Sequence, residues 1–370
     1  MKIAIVVHYF PPKHIGGTEI ASFNIAKYLV QKGHEVHVIT WLDSDFPKNN
    51  MEEGFYIHRV FGKNIRFLTT IFYWFKIFIC LKSIHPDIIH VQNFGLGISA
   101  FFSKKFFRTP YLIYARGSEN IFDRSFILKK ITKLVITNAD KLLVLTKDMK
   151  KELKMIYNGE ILVVPNGIEL DRFKNLSKRK LQKINKKTII FVGRLYSVKG
   201  LIYLIEAMVI IQNEENNTNL LIIGIGPEKK SLEMMVKKLH LEHFVKFIGD
   251  IAYTEIPKYL VQADVFALPS VSEGFPNVIL EAMAAGLPIV STNIGGLSEI
   301  IHNEENGYLV EPKNSEQLAY KILEILKNPE IGHIMSLNNM EKVKEYSWES
   351  VIESLENIYI NILTTSKGKI

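Results

Sequence analysis

The sequence predicts an α/β protein of two domains, each built around a mainly parallel β-sheet. Short β-branched runs alternate with longer amphipathic segments along the whole chain. Strands and helices that alternate in this way form right-handed βαβ units, in which helices cover both faces of a parallel sheet. A chain of 370 residues is also longer than one ordinary hydrophobic core accommodates. These two observations predict two Rossmann-like domains.

The predicted strands form two series that a polar, basic segment separates. The first series is KIAIVV, HEVHVIT, YIHRV, DIIHV, YLIYA, KLLVL and ILVV, and the second is TIIFVG, NLLIIG, VKFIG, DVFALPS, PIVST and GYLV. The segment KRKLQKINKK lies between them and predicts a boundary near residues 170–186. We therefore assign residues 1–172 to the first domain, residues 187–345 to the second, and residues 346–370 to an amphipathic C-terminal helix.

Composition excludes several classes of protein. Hydrophobic content of 47% and charged content of 23% are typical of a soluble globular protein and not of a disordered one. Cys80 is the only cysteine, so an internal disulfide framework is excluded, and no Cys/His spacing predicts a zinc site. The N-terminus continues from Met1 directly into a strand, without the regions of an export signal. The sequence therefore predicts a cytoplasmic protein.

The formal net charge of +8 is unevenly distributed. Residues 1–172 hold 24 Lys and Arg against 15 Asp and Glu, whereas the remainder holds 22 against 23. This excess favours an anionic partner, either a membrane surface or a phosphorylated substrate, over nucleic acid, because no basic motif interleaved with aromatic residues accompanies it. A solvated helix face is the alternative interpretation. The basic residues concerned are Lys104, Lys105, Arg108, Arg116, Arg124, Lys129, Lys130 and Lys133.

One apolar stretch, FLTTIFYWFKIFICL at residues 67–81, needs comparison with a membrane span. It is shorter than the roughly 20 residues that a bilayer requires, and Lys76 interrupts it. A spanning helix is therefore not expected. A buried helix and a helix on the membrane surface both remain open, and the second would make the protein peripheral on the inner face of the membrane.

Residues that follow the predicted strands are candidates for a ligand site, because open parallel sheets bind ligands beyond the carboxyl ends of their strands. Gly16 and Gly17 follow the first strand and precede a helix, where close backbone approach and free N–H groups suit a phosphate. A tight turn would explain them equally well. Arg194 and Lys199 follow the first strand of the second series, and together they suit a diphosphate. Ordinary surface exposure is the alternative there.

A further loop, GIGPEKK, contains Gly226 but lacks the third glycine of a dinucleotide fingerprint. The same spacing is missing after the first strand. A nicotinamide-type site is therefore weakly supported, and no cofactor is predicted.

The stretch EGFPNVILEAMAAG combines a carboxylate in a loop with another in an apolar helix. Glu273 precedes a Gly and a Pro, and the helix starts near Asn277 and Val278, whose amides lie in the first turn. Glu281 is the only charge in that helix and lies about one turn further on. A carboxylate there can bind both hydroxyls of a ribose, as the acidic residue of dinucleotide folds does. The alternative is that Glu281 pairs with a structural partner, such as a backbone amide or an Arg.

These residues carry a resemblance to a known family. EGFPNVILE resembles the Glu-x7-Glu motif of retaining glycosyltransferases, and the whole chain resembles glycosyltransferase family 4 with the GT-B fold. The Gly-Gly loop, VVPNGIE, FVGRLYSVKG, GIGPEKK and YSWESV also match that family. The resemblance implies two Rossmann-like domains with mainly parallel sheets facing a central cleft, and a final helix that crosses back to the first domain.

The resemblance also implies roles for individual residues. Glu273 would bind donor-sugar hydroxyls beside the anomeric carbon, and Glu281 would bind the ribose. Arg194 and Lys199 would neutralise the leaving diphosphate without a metal, and Gly16 and Gly17 would close on it from the first domain. The backbone of Gly274, Phe275, Pro276, Asn277 and Val278 would hold sugar and phosphate, with Gly226 also in the donor site.

One position departs from the family pattern. Many members have a His-Gly pair after the strand that corresponds to YLIYA, whereas this sequence has Arg116. An Arg holds a phosphate or hydroxyl but does not act as an acid or base at neutral pH. We therefore expect an electrostatic or orienting role for Arg116, and a packed strand residue in His90.

The resemblance implies a retaining hexosyl- or N-acetylhexosaminyltransferase that uses a UDP- or GDP-sugar and no metal. Its acceptor would be a glycan or a lipid-linked molecule in surface polysaccharide or glycolipid biosynthesis. A nucleotide-sugar 2-epimerase is the second enzymatic class considered, although it would be expected to carry acidic and His residues that these motifs lack. A non-catalytic nucleotide-sugar-binding protein is the third.

Overall fold

The computed structural model describes residues 1–14, 16–61, 66–117, 126–174, 176 and 186–367. Most of the basic segment between the two predicted domains, and Arg124, lie outside these residues. The chain divides into two compact units. The first comprises Met1–Gly167 and Trp348–Ile370, and the second comprises Ile168–Ser347.

The first unit contains a sheet of eight strands within the described residues, in the order β3-β4-β2-β1-β5-β6-β7-β8. Every neighbouring pair is parallel except β3 and β4. The strands are β1 (Lys2–Val6), β2 (Glu35–Trp41), β3 (Asn49–Glu52), β4 (Phe55–Val60), β5 (Ile88–Val91), β6 (Tyr111–Ala115), β7 (Lys141–Val144) and β8 (Ile161–Val163). Seven of them coincide with the predicted strands. The polar edge strand β3 was not predicted, because NNME has no apolar alternation.

Helices alternate with these strands. They are α1 (Gly17–Gln31), α2 (Arg66–Ile84), α3 (Gly97–Phe107), α4 (Phe126–Asn138) and α5 (Lys147–Lys154). Local chemistry sets some of the boundaries: the Thr146 hydroxyl caps α5 by accepting a hydrogen bond from the Met149 amide at 3.1 Å. On α3, a Cβ at Gly97 would collide with the Val135 side chain of α4. The small residue therefore allows these two helices to pack closely.

The second unit contains six strands, all parallel, among the residues described there, in the order β11-β10-β9-β12-β13-β14. They are β9 (Lys187–Val192), β10 (Thr218–Ile223), β11 (Val245–Gly249), β12 (Val265–Leu268), β13 (Ile289–Thr292) and β14 (Gly307–Val310). The helices are α6 (Leu201–Glu214), α7 (Lys229–Lys238), α8 (Ile256–Leu260), α9 (Asn277–Ala284), α10 (Leu297–Ile300), α11 (Ser315–Lys327) and α12 (Pro329–Lys342). All six strands coincide with predicted ones.

The last helix, α13 (Trp348–Lys367), belongs to the first unit. Its buried side chains recur at helical spacing: Trp348, Val351, Ile352, Leu355, Tyr359 and Ile362. The Glu356 carboxylate lies 2.9 Å from the His34 ring, just after α1. This apolar face and its polar contact attach the C-terminal segment to the Met1–Gly167 part of the unit.

The unit boundaries differ from those assigned from the sequence. Residues 168–172 lie in the second unit, whereas the sequence pattern predicts them in the first. Ile168 is buried in the core of the second unit, and its amide donates to the Tyr346 carbonyl at 2.8 Å. Because of these contacts, residues 168–172 pack with the second unit although they follow the first unit in the chain. The same contacts hold residues 346–347 in the second unit.

Helix α2 contains the apolar stretch at residues 67–81. Tyr73, Ile77, Leu81 and Ile84 form one buried stripe along it. The opposite side is apolar and exposed at Ile71, Phe72, Phe75 and Ile79. The buried-helix interpretation is therefore correct for one face only. None of the helices in the described parts of the chain combines the length and hydropathy needed to cross a bilayer.

Candidate active site

The candidate donor site lies at the carboxyl edge of the second sheet. Strand β9 pairs with β10 on one side and with β12 on the other, so the strand order reverses there. Such a switch point is where open α/β sheets bind ligands. The loop after β9 carries Arg194 and Lys199, and the loop after β12 carries Glu273. The two loops are joined where the Val271 amide donates to the Val198 carbonyl at 2.8 Å.

Lys199 and Glu273 form an ion pair across these loops. The Lys199 ammonium donates to Oε1 of Glu273, and the side chains are only 19% and 9% exposed. The same oxygen accepts a hydrogen bond from the Ser270 hydroxyl at 2.7 Å. The carbonyl of Ser270 in turn accepts from the Thr292 hydroxyl at 2.6 Å. Glu273 is therefore held in place by groups on β13 and on both loops, a preorganisation that the sequence analysis did not predict.

Two glycines let the backbone come close to this ion pair. Gly200 has a φ of +63° and caps the start of α6, and a Cβ there would collide with the Pro269 carbonyl. Gly295 has a φ of +50°, and a Cβ there would collide with the carbonyl of Glu273. Any other residue would be strained at either position and would displace the loop. Gly295 was missed by the sequence analysis, although the NIGG stretch after β13 is a turn signal.

Helix α9 starts beside Glu273. Its first residues are Asn277 and Val278, and Pro276 before them offers no capping side chain. The amides of a helix's first turn have no partners within the helix, and the helix dipole favours an anion there. The segment from Gly274 to Val278 therefore connects Glu273 to a helix start of the kind that suits an anion, and donor binding by this segment stays a prediction.

Arg194 lies in the loop after β9, and Gly226 lies in the loop after β10, which packs against it. Arg194 is exposed, and its guanidinium carbon lies 5.1 Å from the centre of the Tyr196 ring. The amide of Leu195 donates to the Ile225 carbonyl at 2.9 Å, and a Cβ on Gly226 would collide with the Leu195 backbone. Gly226 thus allows the loop after β10 to support the loop that carries Arg194.

Glu281 is buried and is not isolated. The Arg172 guanidinium donates to Oε1 of Glu281 at 3.2 Å, and the Tyr253 hydroxyl also bonds to this carboxylate. Arg172 also lies over the Tyr253 ring, at 3.8 Å from its centre. Burial raises the pKa of Glu281, and the charge of Arg172 opposes that rise. An Arg partner is what the structural interpretation expected, and ribose binding stays a prediction.

Arg172 and Tyr253 were missed by the sequence analysis. A weak signal existed for Arg172, because it lies beside VVPNGIE at the domain junction. No pattern in the sequence distinguished Tyr253.

The other predicted site residues lie in the first unit. Gly17 is the first residue of α1, and Gly16 precedes it with an extended backbone whose carbonyl accepts from the Ile20 amide at 3.0 Å. A Cβ on Gly16 would meet the end of the Glu19 side chain, which is flexible, and no backbone atom. The two glycines thus begin a helix, and phosphate binding by them stays a prediction.

Arg116 follows β6 and is buried in the first unit. Its guanidinium donates to the side-chain oxygens of Gln92 and Asn166, and it stacks over the Tyr114 ring at 4.0 Å from the ring centre. His90, on β5, contacts the Tyr359 hydroxyl through Nδ1 at 2.6 Å. Burial lowers the pKa of His90 to about 3, so its imidazole is neutral near pH 7. Gln92 and Asn166 were not predicted, although each follows a strand of the first series.

Models of two protein families match almost the whole chain. The model described as Glycosyltransferase Family 4 matches residues 15–172, and the model described as Glycosyl transferases group 1 matches residues 172–345. An uncharacterized glycosyltransferase of Methanocaldococcus jannaschii is 33% identical over 97% of this chain and 98% of its own length. The N-acetyl-alpha-D-glucosaminyl L-malate synthase of Bacillus anthracis is 26% identical over 100% of both chains.

Solved structures share the fold. Sucrose-phosphate synthase from Thermosynechococcus elongatus has a TM-score of 0.87 at 22% identity, covering 98% of this chain and 99% of that one. The Anabaena protein HepE in complex with UDP has a TM-score of 0.82 at 19% identity, covering 98% and 100%. At these identities the likeness concerns the fold alone.

Proposed function

Because this chain belongs to glycosyltransferase family 4 and has the GT-B fold, we propose that it transfers a hexose or N-acetylhexosamine from a UDP- or GDP-sugar with retention of anomeric configuration. The observation that carries this proposal is the Lys199–Glu273 ion pair at the switch point of the second sheet. A cation, a carboxylate and the start of α9 meet there, which are the groups that a diphosphate and a sugar need.

The chemistry follows from charge that develops during transfer. As the bond between sugar and diphosphate breaks, negative charge grows on the leaving diphosphate. Arg194, Lys199 and the first-turn amides of α9 stabilise that charge, because they are positioned before the reaction begins. Glu273, fixed by Ser270 and Lys199, binds hydroxyls of the donor sugar and orients its anomeric carbon. The acceptor attacks from the side that the diphosphate leaves.

Two relatives support the choice of donor. The Bacillus anthracis relative is named for an N-acetyl-glucosaminyl product, and HepE was solved with UDP. These names favour a uridine nucleotide and an N-acetylhexosamine among the donors considered. A GDP-sugar remains in the proposal, because both bases would be read by side chains beyond those that hold the diphosphate.

A lipid-linked acceptor on an anionic membrane is the second part of the proposal. Phe75 of α2 and Phe106 of α3 are 55% and 65% exposed. Phe78 joins the two helices, with its ring centre 6.0 Å from that of Phe106 and 5.5 Å from that of Phe107. We call this the aromatic surface: Ile71, Phe72, Phe75, Ile79, Phe102, Phe106 and Phe107. Exposed apolar patches of this kind mark interaction sites.

The charge of the neighbouring helices supports a membrane, rather than a protein, as the partner of this surface. Helices α2, α3 and α4 carry eight Lys and Arg and no Asp or Glu. Aromatic residues on helices whose charged residues are all basic suit the anionic headgroup region of a bilayer. Lys104 contributes least, because it is paired with Asp140 at 2.6 Å.

A screen of nucleotide sugars without acceptor tests the activity. The protein is incubated with UDP- and GDP-linked hexoses and N-acetylhexosamines, and release of UDP or GDP is measured. We expect slow hydrolysis of one donor, lost in Glu273→Ala. Release of a 2-epimerised sugar would favour the epimerase alternative, and binding without any turnover, even with added acceptors, would favour a non-catalytic nucleotide-sugar-binding protein.

A further inference from the structure

Arg116 is a buried cation without a carboxylate partner among the residues that the structure describes. Its side chain is 9% exposed, and both hydrogen-bond partners, Gln92 and Asn166, are neutral amides. The Tyr114 ring adds a cation–π contact but no charge. A buried charge that lacks a counter-charge is strongly unfavourable, so buried charges are normally paired.

Two nitrogens of this cluster also lack a hydrogen-bond partner within the described chain. They are Nη2 of Arg116 and Nε2 of Gln92, and both are buried. Each is a donor only. Because buried donors are nearly always paired in folded proteins, the cluster lacks acceptor atoms among the described residues. Its net positive charge favours anionic acceptors.

The cluster is built rigidly and lies at the carboxyl edge of the first sheet, beside an exposed residue. The Tyr114 hydroxyl donates to the carbonyls of Val164 at 2.5 Å and Pro165 at 3.2 Å, which fixes the segment that carries Asn166. Gln92 and Arg116 follow the paired strands β5 and β6, at the carboxyl edge of the first sheet. Gly117, next to Arg116, is exposed, and a Cβ there would have no neighbour within 4 Å.

We propose that Arg116, Gln92 and Asn166 form a recognition site for an oxyanion of the sugar substrate or acceptor, either a phosphate or a carboxylate. Nη2 of Arg116 and Nε2 of Gln92 donate to its oxygens, and Asn166 positions the guanidinium. The site would select an anionic group through Arg116, at the position where many relatives have a His. It does not supply a proton, because a guanidinium stays protonated.

This inference rests on the proposed function in one respect, that the oxyanion belongs to a substrate of glycosyl transfer. Binding is therefore measured without turnover. The full chain carrying Arg194→Ala and Lys199→Ala is titrated with inorganic phosphate and, separately, with glucuronate. Sodium chloride at equal ionic strength is the reference, and the shift in melting temperature is recorded. The double variant keeps the proposed diphosphate site from contributing.

We expect a saturable rise in melting temperature with at least one of the two anions. The better ligand identifies the source as a phosphate-bearing acceptor or as an acidic sugar. Adding Arg116→Gln should abolish the effect, and Gln92→Leu should weaken the affinity at least about tenfold, since a hydrogen bond to an anion is lost. Arg116→Lys should keep part of the affinity, because it keeps the charge.

Two results would overturn the site: no saturable effect of either anion, or an unchanged effect in the folded Arg116→Gln and Gln92→Leu variants. Should Arg116→Gln not fold, Gln92→Leu decides alone, because it leaves the charge in place. Failure of the proposed function would give a different result. The chain with native Arg194 and Lys199 would then bind neither UDP nor GDP, and this result does not depend on the oxyanion titration.

Discussion

The ammonium of Lys199 is paired with the carboxylate of Glu273, although 74 residues separate them in the chain. The pair brings no net charge to the site, so the exposed Arg194 supplies the net positive charge of these two loops. Lys199 therefore has two functions in the proposal. It positions Glu273, and it stabilises the diphosphate as that group leaves.

Replacing either basic residue should slow turnover. We expect Arg194→Ala and Lys199→Ala each to cost about 2–4 kcal/mol of transition-state stabilisation, by analogy with other preorganised charge donors. Lys199→Ala should also raise the KM for the donor, because Glu273 loses a partner. Steady-state kinetics measures both. Lys258→Ala is the matched control, since Lys258 pairs with Glu255 on the surface of the same unit; near-native turnover in both site variants would refute the assignment.

The chemical step should need no divalent cation. In the proposal, Arg194, Lys199 and the start of α9 stabilise the charge that a metal stabilises in other glycosyl transfers. An Asp-x-Asp pair does occur, at Asp43 and Asp45 in the first unit, but Lys13 lies 3.2 Å from a carboxylate oxygen of each. Turnover in excess chelator is the measurement. Activity that disappears with chelator and returns with magnesium or manganese would contradict the prediction.

Glu281→Gln tests the ribose assignment against the structural one. If Glu281 binds the ribose, calorimetry should show UDP affinity falling roughly tenfold or more, because a charged acceptor is replaced. Some loss of stability is also expected, since Arg172 keeps only a neutral partner. Arg172→Met is the comparison, because it breaks the ion pair and leaves the carboxylate. Unchanged UDP affinity in Glu281→Gln would make this carboxylate purely structural.

His90 should make the first unit sensitive to acid. Burial lowers its pKa from 6.5 to about 3, so between these values the unfolded chain binds a proton more readily than the folded one. Stability from the neutral imidazole is complete above pH 6.5 and falls as pH decreases toward 3. His90→Gln removes the titration and can keep a contact with the Tyr359 hydroxyl.

Melting temperatures of both proteins from pH 7.5 to 4 provide the measurement. The wild-type value should fall more steeply below pH 6.5 than that of His90→Gln. The exposed His333 of α12 gives the control variant His333→Gln, which should follow the wild type. Parallel curves for His90→Gln and the wild type would contradict the linkage.

The aromatic surface should bind anionic vesicles. Co-sedimentation should be strong with anionic vesicles, weaken at high salt as the charges are screened, and fall in Lys105→Ser/Lys129→Ser/Lys133→Ser. Each basic residue contributes on the order of 1 kcal/mol near such a membrane. The control changes three exposed lysines of the second unit, Lys230, Lys237 and Lys238, to Ser.

Three outcomes would contradict membrane binding through charge. Equal binding to neutral and anionic vesicles would mean that the apolar side chains alone bind the membrane. Equal losses of binding in both triple variants would mean that the position of the lysines on the protein does not matter. Absence of any vesicle binding, together with a dimer in sedimentation equilibrium, would assign the surface to a second copy of the chain.

Much of the fold could be predicted because its determinants are local. β-Branched runs, glycines after strands and amphipathic segments lie within a few residues of one another, so thirteen of the fourteen strands in the described part of the chain are visible in the sequence. The exception, β3, is polar and short, and only pairing with β4 makes it a strand. Arg194, Lys199 and Glu273 were likewise selected as candidates by their position after strands, and Glu281 by its charge in an apolar helix and by resemblance to a family motif; their roles stay predictions.

What the tertiary structure alone decided is which of these groups meet. The pairs Lys199–Glu273 and Arg172–Glu281 join residues 74 and 109 positions apart, and no local pattern specifies such contacts. The same is true of Arg116, whose lack of a counter-charge within the described residues depends on which side chains surround it. Charge identity is a property of the sequence, but pairing and burial are properties of packing, because electrostatic energies depend on distance and on exclusion of water.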